Sequence, residues 1–66
     1  MYYFISYIAK IQDGHQFMWL PENAVINQHP IEWLVEVRNE FPDIPHFIVN
    51  WNEITEQVYN QFKDEL

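Results

Sequence analysis

The side chains of this 66-residue chain that could do chemistry are three histidines, ten carboxylates, one serine and one threonine. His15, His29 and His46 are the obvious metal ligands, but they lie far apart and form no HxH or HxxxH pair. Asp13-Gly14-His15 offers two ligand types together, yet Asp-Gly reads first as a turn. Acid–base or hydrolytic catalysis needs paired groups in a concave site. Glu32, Glu36 and Glu40 recur every fourth residue instead, the pattern of a solvated helix face. Ser6 sits inside an apolar run with no glycine elbow around it, and a single glycine in the chain excludes a phosphate-cradling loop. Cysteine is absent, which removes disulfides and thiolate metal sites. These residues predict a protein that is not an enzyme and that holds no metal or cofactor.

Charge points to a partner. The chain carries a formal net charge of -7. Residues 1–31 hold Asp13 and Glu22 against Lys10. All the other carboxylates follow, against Arg38 and Lys63. Such a field repels phosphate backbones and attracts basic surfaces. Direct nucleic-acid binding is therefore not expected. A protein partner with a basic surface is, contacted through an acidic ridge of Glu32, Glu36, Glu40 and Asp43. The bland alternative is that the ridge only keeps the chain soluble.

The aromatic residues form the second constellation, with three Trp, four Tyr and five Phe. Each can bury about 150–250 Å². Tyr2, Phe4, Tyr7 and Trp19 are candidates for a partner- or self-binding sheet face. Aromatics on a sheet can also stack bases, but such sites need a basic groove, and three scattered cations do not make one.

These groups must be positioned by a small α+β domain spanning residues 1–66. A chain of this length is one domain with a thin stability margin. Residues 2–11 read as a strand rich in aromatic and β-branched types, apolar on both faces and therefore central. Asp13-Gly14 predicts a hairpin of type I′, with a second strand over residues 16–20. Pro21 is expected to interrupt that strand, and residues 21–29 are open between strand and loop. Pro30 starts a helix whose inner stripe is Ile31, Leu34, Val37 and Phe41, with Trp33 on its border. Pro42 ends it. Residues 46–51 form a third strand, with Phe47, Val49 and Trp51 alternating against His46, Ile48 and Asn50. Asn52 or Thr55 caps a closing helix that runs to about residue 64. The order β-β-α-β-α and the two-faced first strand predict a three-stranded antiparallel sheet of order 2-1-3, packed with two short helices. No run is long enough to span a bilayer, and no secretion signal is evident. The cytoplasm is the expected location.

The strand Tyr3-Phe4-Ile5-Ser6-Tyr7, the Asp-Gly hairpin and the later Ile48-Val49-Asn50-Trp51-Asn52-Glu53-Ile54 resemble small uncharacterised proteins of bacteriophages and mobile elements that open on a "YFISY"-type strand. Met18-Trp19-Leu20-Pro21 departs from the small and β-branched residues usual in the second strand. The resemblance carries no catalytic motif. It implies an accessory protein that binds and inhibits a host protein with a nucleic-acid-binding surface, such as a defence-system component. Two other readings stay open, a self-associating homodimeric structural or regulatory protein and an antitoxin-like partner of a basic toxin.

Overall fold

The computed structural model describes residues 1–65, and Leu66 lies outside the described residues. Three strands, β1 (Tyr2–Asp13), β2 (Gln16–Ile26) and β3 (His46–Ile54), form one antiparallel sheet of order β2-β1-β3. Helix α1 (Pro30–Glu40) links β2 to β3, and α2 (Glu56–Phe62) closes the chain. The expected α+β architecture, element order and strand order are those observed. The strand with two apolar faces is central because both of its faces meet packing partners.

Four local details differ from the sequence reading. The hairpin register pairs Asp13 with Gln16, so Gly14 and His15 are the central turn residues. Of these two, only Gly14 has positive φ, at 63°. Those signs fit a turn with glycine first, of type II′, and not type I′, which needs positive φ at both positions. Next, β2 runs unbroken through Pro21, which pairs with Ile8. Proline is tolerated because β2 is an edge strand. Residues 24–26 are therefore strand. In β3, Ser6 pairs with Asn50 while Tyr7 pairs with Ile48, leaving Val49 as a bulge. The extra residue breaks the expected alternation, so Phe47 and Trp51 point to opposite faces. Finally, β3 continues to Ile54, which leaves Thr55 and not Asn52 as the cap of α2.

The two helices pack on opposite faces. Under α1 lie Tyr3, Ile5, Ala9 and Ile26, the buried apolar residues of the core, with Ile5 at 0% exposure. Trp33 of α1 packs on this cluster, and its ring meets Tyr7 at 4.8 Å between centroids. Pro30 is fully buried. The inner stripe is thus Pro30, Trp33, Leu34 and Val37, while Ile31 and Phe41 are exposed. Anchoring by Pro30 and Trp33 turns the helix away from the predicted stripe. Phe41 lies at the helix C-cap, where its backbone N–H bonds the Val37 carbonyl oxygen.

On the opposite face, α2 sits over one end of the sheet. Tyr59 meets Tyr2 at 4.7 Å, and Val58 and Phe62 share a cleft with Phe4, Asn23, Asn52 and Ile54. Both helices start on side-chain caps. His29 Nδ1 accepts from the Ile31 N–H at 3.1 Å, and Thr55 Oγ1 accepts from the Val58 N–H at 3.2 Å.

The far end of the hairpin has no such cover. β1 pairs with β3 only as far as Ala9, followed by a last bond from the Lys10 N–H to the Pro45 carbonyl. Residues 11–13 and 16–18 pair only with each other and form a two-stranded arm. The molecule measures 43 × 20 × 18 Å, with a radius of gyration of 12.9 Å. A compact chain of this length has roughly 11 Å.

Candidate functional site

Glu32, Glu36 and Glu40 are exposed and share one flank of α1. Residues four apart lie one above the other on a helix surface. Arg38 leaves the helix about 160° away from Glu36 at 100° per residue. It reaches the free edge of β3, where Nε and Nη2 donate to the His46 carbonyl at 3.4 and 3.2 Å. The acidic flank therefore faces away from the helix's one cation. Glu32 lies in the first turn, where the helix dipole favours it. Glu36 accepts from Gln28 Nε2 at 3.0 Å.

Asp43 is not part of this flank. It lies in the α1–β3 turn and lines a shallow cleft of about 410 Å³ with Lys10, Ile11, Gln12, Phe17, Ile44 and Pro45. The ridge expected from sequence is thus three residues long.

The four aromatic candidates are divided by the fold. Tyr2 and Phe4 are partly covered by α2. Tyr7 is on the opposite face, half-buried against Trp33. Burial, and secondarily the Glu22 carboxylate across the strand pair, raises the Tyr7 phenol above its ordinary value. Only Trp19 stands on uncovered sheet. The expected aromatic face of Tyr2, Phe4, Tyr7 and Trp19 does not assemble, because alternation along β1 sends odd and even residues to opposite sides.

A different row assembles around Trp19. Its ring centroid lies 5.6 Å from that of Phe47. Lys10 Nζ stands 4.1 Å from the Phe17 centroid and 5.6 Å from that of Trp19. The Arg38 guanidinium stands 5.3 Å from the Phe47 centroid. Cations at such distances are held by the negative ring faces. Phe17, Trp19 and Phe47 are nevertheless 60%, 44% and 46% exposed. A polar row borders this patch on the α2 side: Asn23, Ser6 and Asn50 are aligned across the three strands, and Ser6 Oγ donates to Asn23 Oδ1 at 3.0 Å.

Sequence reasoning missed Lys10, Phe17, Arg38 and Phe47. The Lys10–Trp19 pair was available from the hairpin register, counted back from the turn. Phe47 was not, because the Val49 bulge decides which way it points.

The histidines hold structural positions. His15 occupies the turn, His29 caps α1, and His46 is buried with Nδ1 2.6 Å from the Ile44 carbonyl oxygen. Among the described residues, no group of three or more His, Cys, Asp or Glu could hold a metal ion. No described helix is long and apolar enough to cross a membrane.

The fold and these surfaces define a small α+β protein with a separated acidic flank and aromatic row. No protein-family model, no curated protein and no solved structure matches the chain.

Proposed function

We propose that this is a non-enzymatic binding protein whose α1 flank engages a basic surface on a host protein. It fits the role of a phage or mobile-element accessory protein that inhibits a nucleic-acid-binding host component. The carrying observation is the flank itself: Glu32, Glu36 and Glu40 exposed side by side, turned away from Arg38. Four residues of helix rise about 6 Å, so three carboxylates span about 12 Å. One DNA strand carries a phosphate about every 3.4 Å of axis. The flank thus has a little over half that linear charge density, enough to occupy a short stretch of a basic groove.

Three of the side chains that catalysis could recruit are engaged in local structure, which supports the non-enzymatic reading. Ser6 bonds Asn23, and Thr55 and His29 cap helices.

The test is a nuclease-treated bacterial lysate passed over immobilised wild type and over the triple variant Glu32→Gln, Glu36→Gln, Glu40→Gln. Proteins held by wild type should elute as salt rises from about 50 to 200 mM, the range over which multiple ionic contacts weaken steeply. The triple variant should release them earlier. If both columns hold the same proteins to the same salt, the acidic flank is not the contact.

A further inference from the structure

We propose that the aromatic row at the uncovered end of the sheet docks a second copy of this chain, about a two-fold axis. Three observations single out this occupant.

The first is the size of the core. Among the described residues, the buried apolar ones apart from Pro30 are Tyr3, Ile5, Ala9 and Ile26. A 66-residue fold usually adds disulfides, a metal or an oligomer to such a core. The chain has no cysteine, and its described residues offer no metal cluster. A partner that adds to so thin a margin must be present wherever the chain is, and a second copy meets that condition.

The second is charge. Lys10 and Arg38, two of the chain's three cations, lie in this patch, with Asp43 at its rim beside Lys10. The three sum to +1 in a chain of -7, so the rest of the molecule carries -8. Association through this face keeps the acidic surfaces apart. It also lets Asp43 of one copy approach Lys10 of the other, twice, as an isologous contact requires.

The third is anatomy. An aromatic centre with a polar border is the pattern of protein interfaces, and Asn23, Ser6 and Asn50 form such a border. Three rings about half exposed leave roughly 300 Å² of aromatic surface, at the lower end of the roughly 300–600 Å² found for the largest apolar patch of a typical protein, which is often functional. A stable interface buries about 800 Å² per partner. The arm and the rim must supply the remainder; area alone does not set affinity, and the expectation for so small an aromatic centre is weak association, at about micromolar concentration, with dissociation below it.

Sedimentation of wild type from about 0.01 μM to about 100 μM brackets that range. The mass should rise from that of one chain to that of two. Trp19→Glu and Phe47→Glu should each stay at the mass of one chain with unchanged far-UV circular dichroism. Val35→Glu, at an exposed position of α1, should dimerise like wild type. Lys10→Glu and Asp43→Lys should each weaken association at least about tenfold through like-charge contact. Mixing those two variants should restore it as a heterodimer, and this decides the matter if the glutamate variants unfold.

A wild type that remains monomeric throughout overturns the proposal. So does a dimer that persists in folded Trp19→Glu and Phe47→Glu, or a mixture that shows no recovery. The Glu32, Glu36, Glu40 triple variant should still dimerise. Loss of the dimer there would instead point to the acidic flank as the self-contact and overturn the two-fold arrangement. A failed lysate experiment leaves this result untouched, because the two surfaces are separate.

Discussion

Phe4 and Phe17 lie on the same face of one hairpin, yet they end in different environments. Phe4 is half-buried beside α2, whereas Phe17 is 60% exposed on the arm. Residue type does not separate them; the reach of the helix does. α2 has seven residues and is about 10 Å long at 1.5 Å per residue. β1 has twelve and extends about 40 Å at 3.4 Å per residue. One helix of that length covers about a quarter of the strand. α1, with eleven residues, covers more of the other face but also stops short of the arm. The near end of the sheet is therefore a domain core. The far end is a ribbon with apolar residues on both sides, and an isolated two-stranded ribbon is marginal in water.

The sharpest break in this comparison is Ile5→Ala at the near end. Ile5 has no exposed surface, and emptying such a site costs about 2–5 kcal/mol. Total stability for domains is about 5–15 kcal/mol, so urea melts should show a variant close to unfolded. Phe17→Ala on the arm, measured below the dimer's dissociation range, should shift the same melt by less than about 1 kcal/mol. Equal shifts would mean that the arm is as tightly packed as the core.

Thr55→Ala tests whether α2 is what covers the near end. Loss of that cap should cost about 1 kcal/mol. It should also raise the exchange rates of amides in β1 near Tyr2 and Phe4 before those of the α1 side.

Tyr7 gives a pH-dependent view of the α1 face. Its phenol is raised by burial and then by Glu22, so the native state keeps its proton where the unfolded chain, with a value near 10, has lost it. Between the two values the native state binds more protons, and stability falls as pH increases. Below about pH 10 the contribution is complete. Tyr7→Phe should lose less stability than wild type when melts at pH 9 and pH 11 are compared, where about 9 and 11 bracket the unfolded value. A parallel decline would remove Tyr7 as the source.

The smallest effect belongs to the acidic flank. Glu36→Gln relieves two like-charge pairs at spacing four, each worth about 0.2–0.5 kcal/mol, but weakens the bond from Gln28. A gain of a few tenths at most is expected in low-salt melts, vanishing at high salt.

Much of the fold was legible because its signals are local. Gly14 marked the hairpin, Pro30 and Pro42 bracketed α1, and alternation showed both faces of β1 to be apolar. The acidic flank was legible too, since helical spacing alone aligns Glu32, Glu36 and Glu40. Grouping Tyr7 with Tyr2 and Phe4 failed against that same alternation. Joining Asp43 to the flank failed because the turn after Phe41 leads the chain away from the helix axis and toward Lys10.

The sequence by itself determined the element order, the central place of β1, the sign of the charge and the acidic helix flank. Each follows from periodicity or composition within one segment. Only the tertiary structure decided which faces are covered, because coverage depends on where α1 and α2 land and how far they reach. It also decided the orientation of Phe47, through one extra residue at Val49. The aromatic row with Lys10 and Arg38 exists for that reason: it draws on three strands and a helix, and no stretch of the chain contains it.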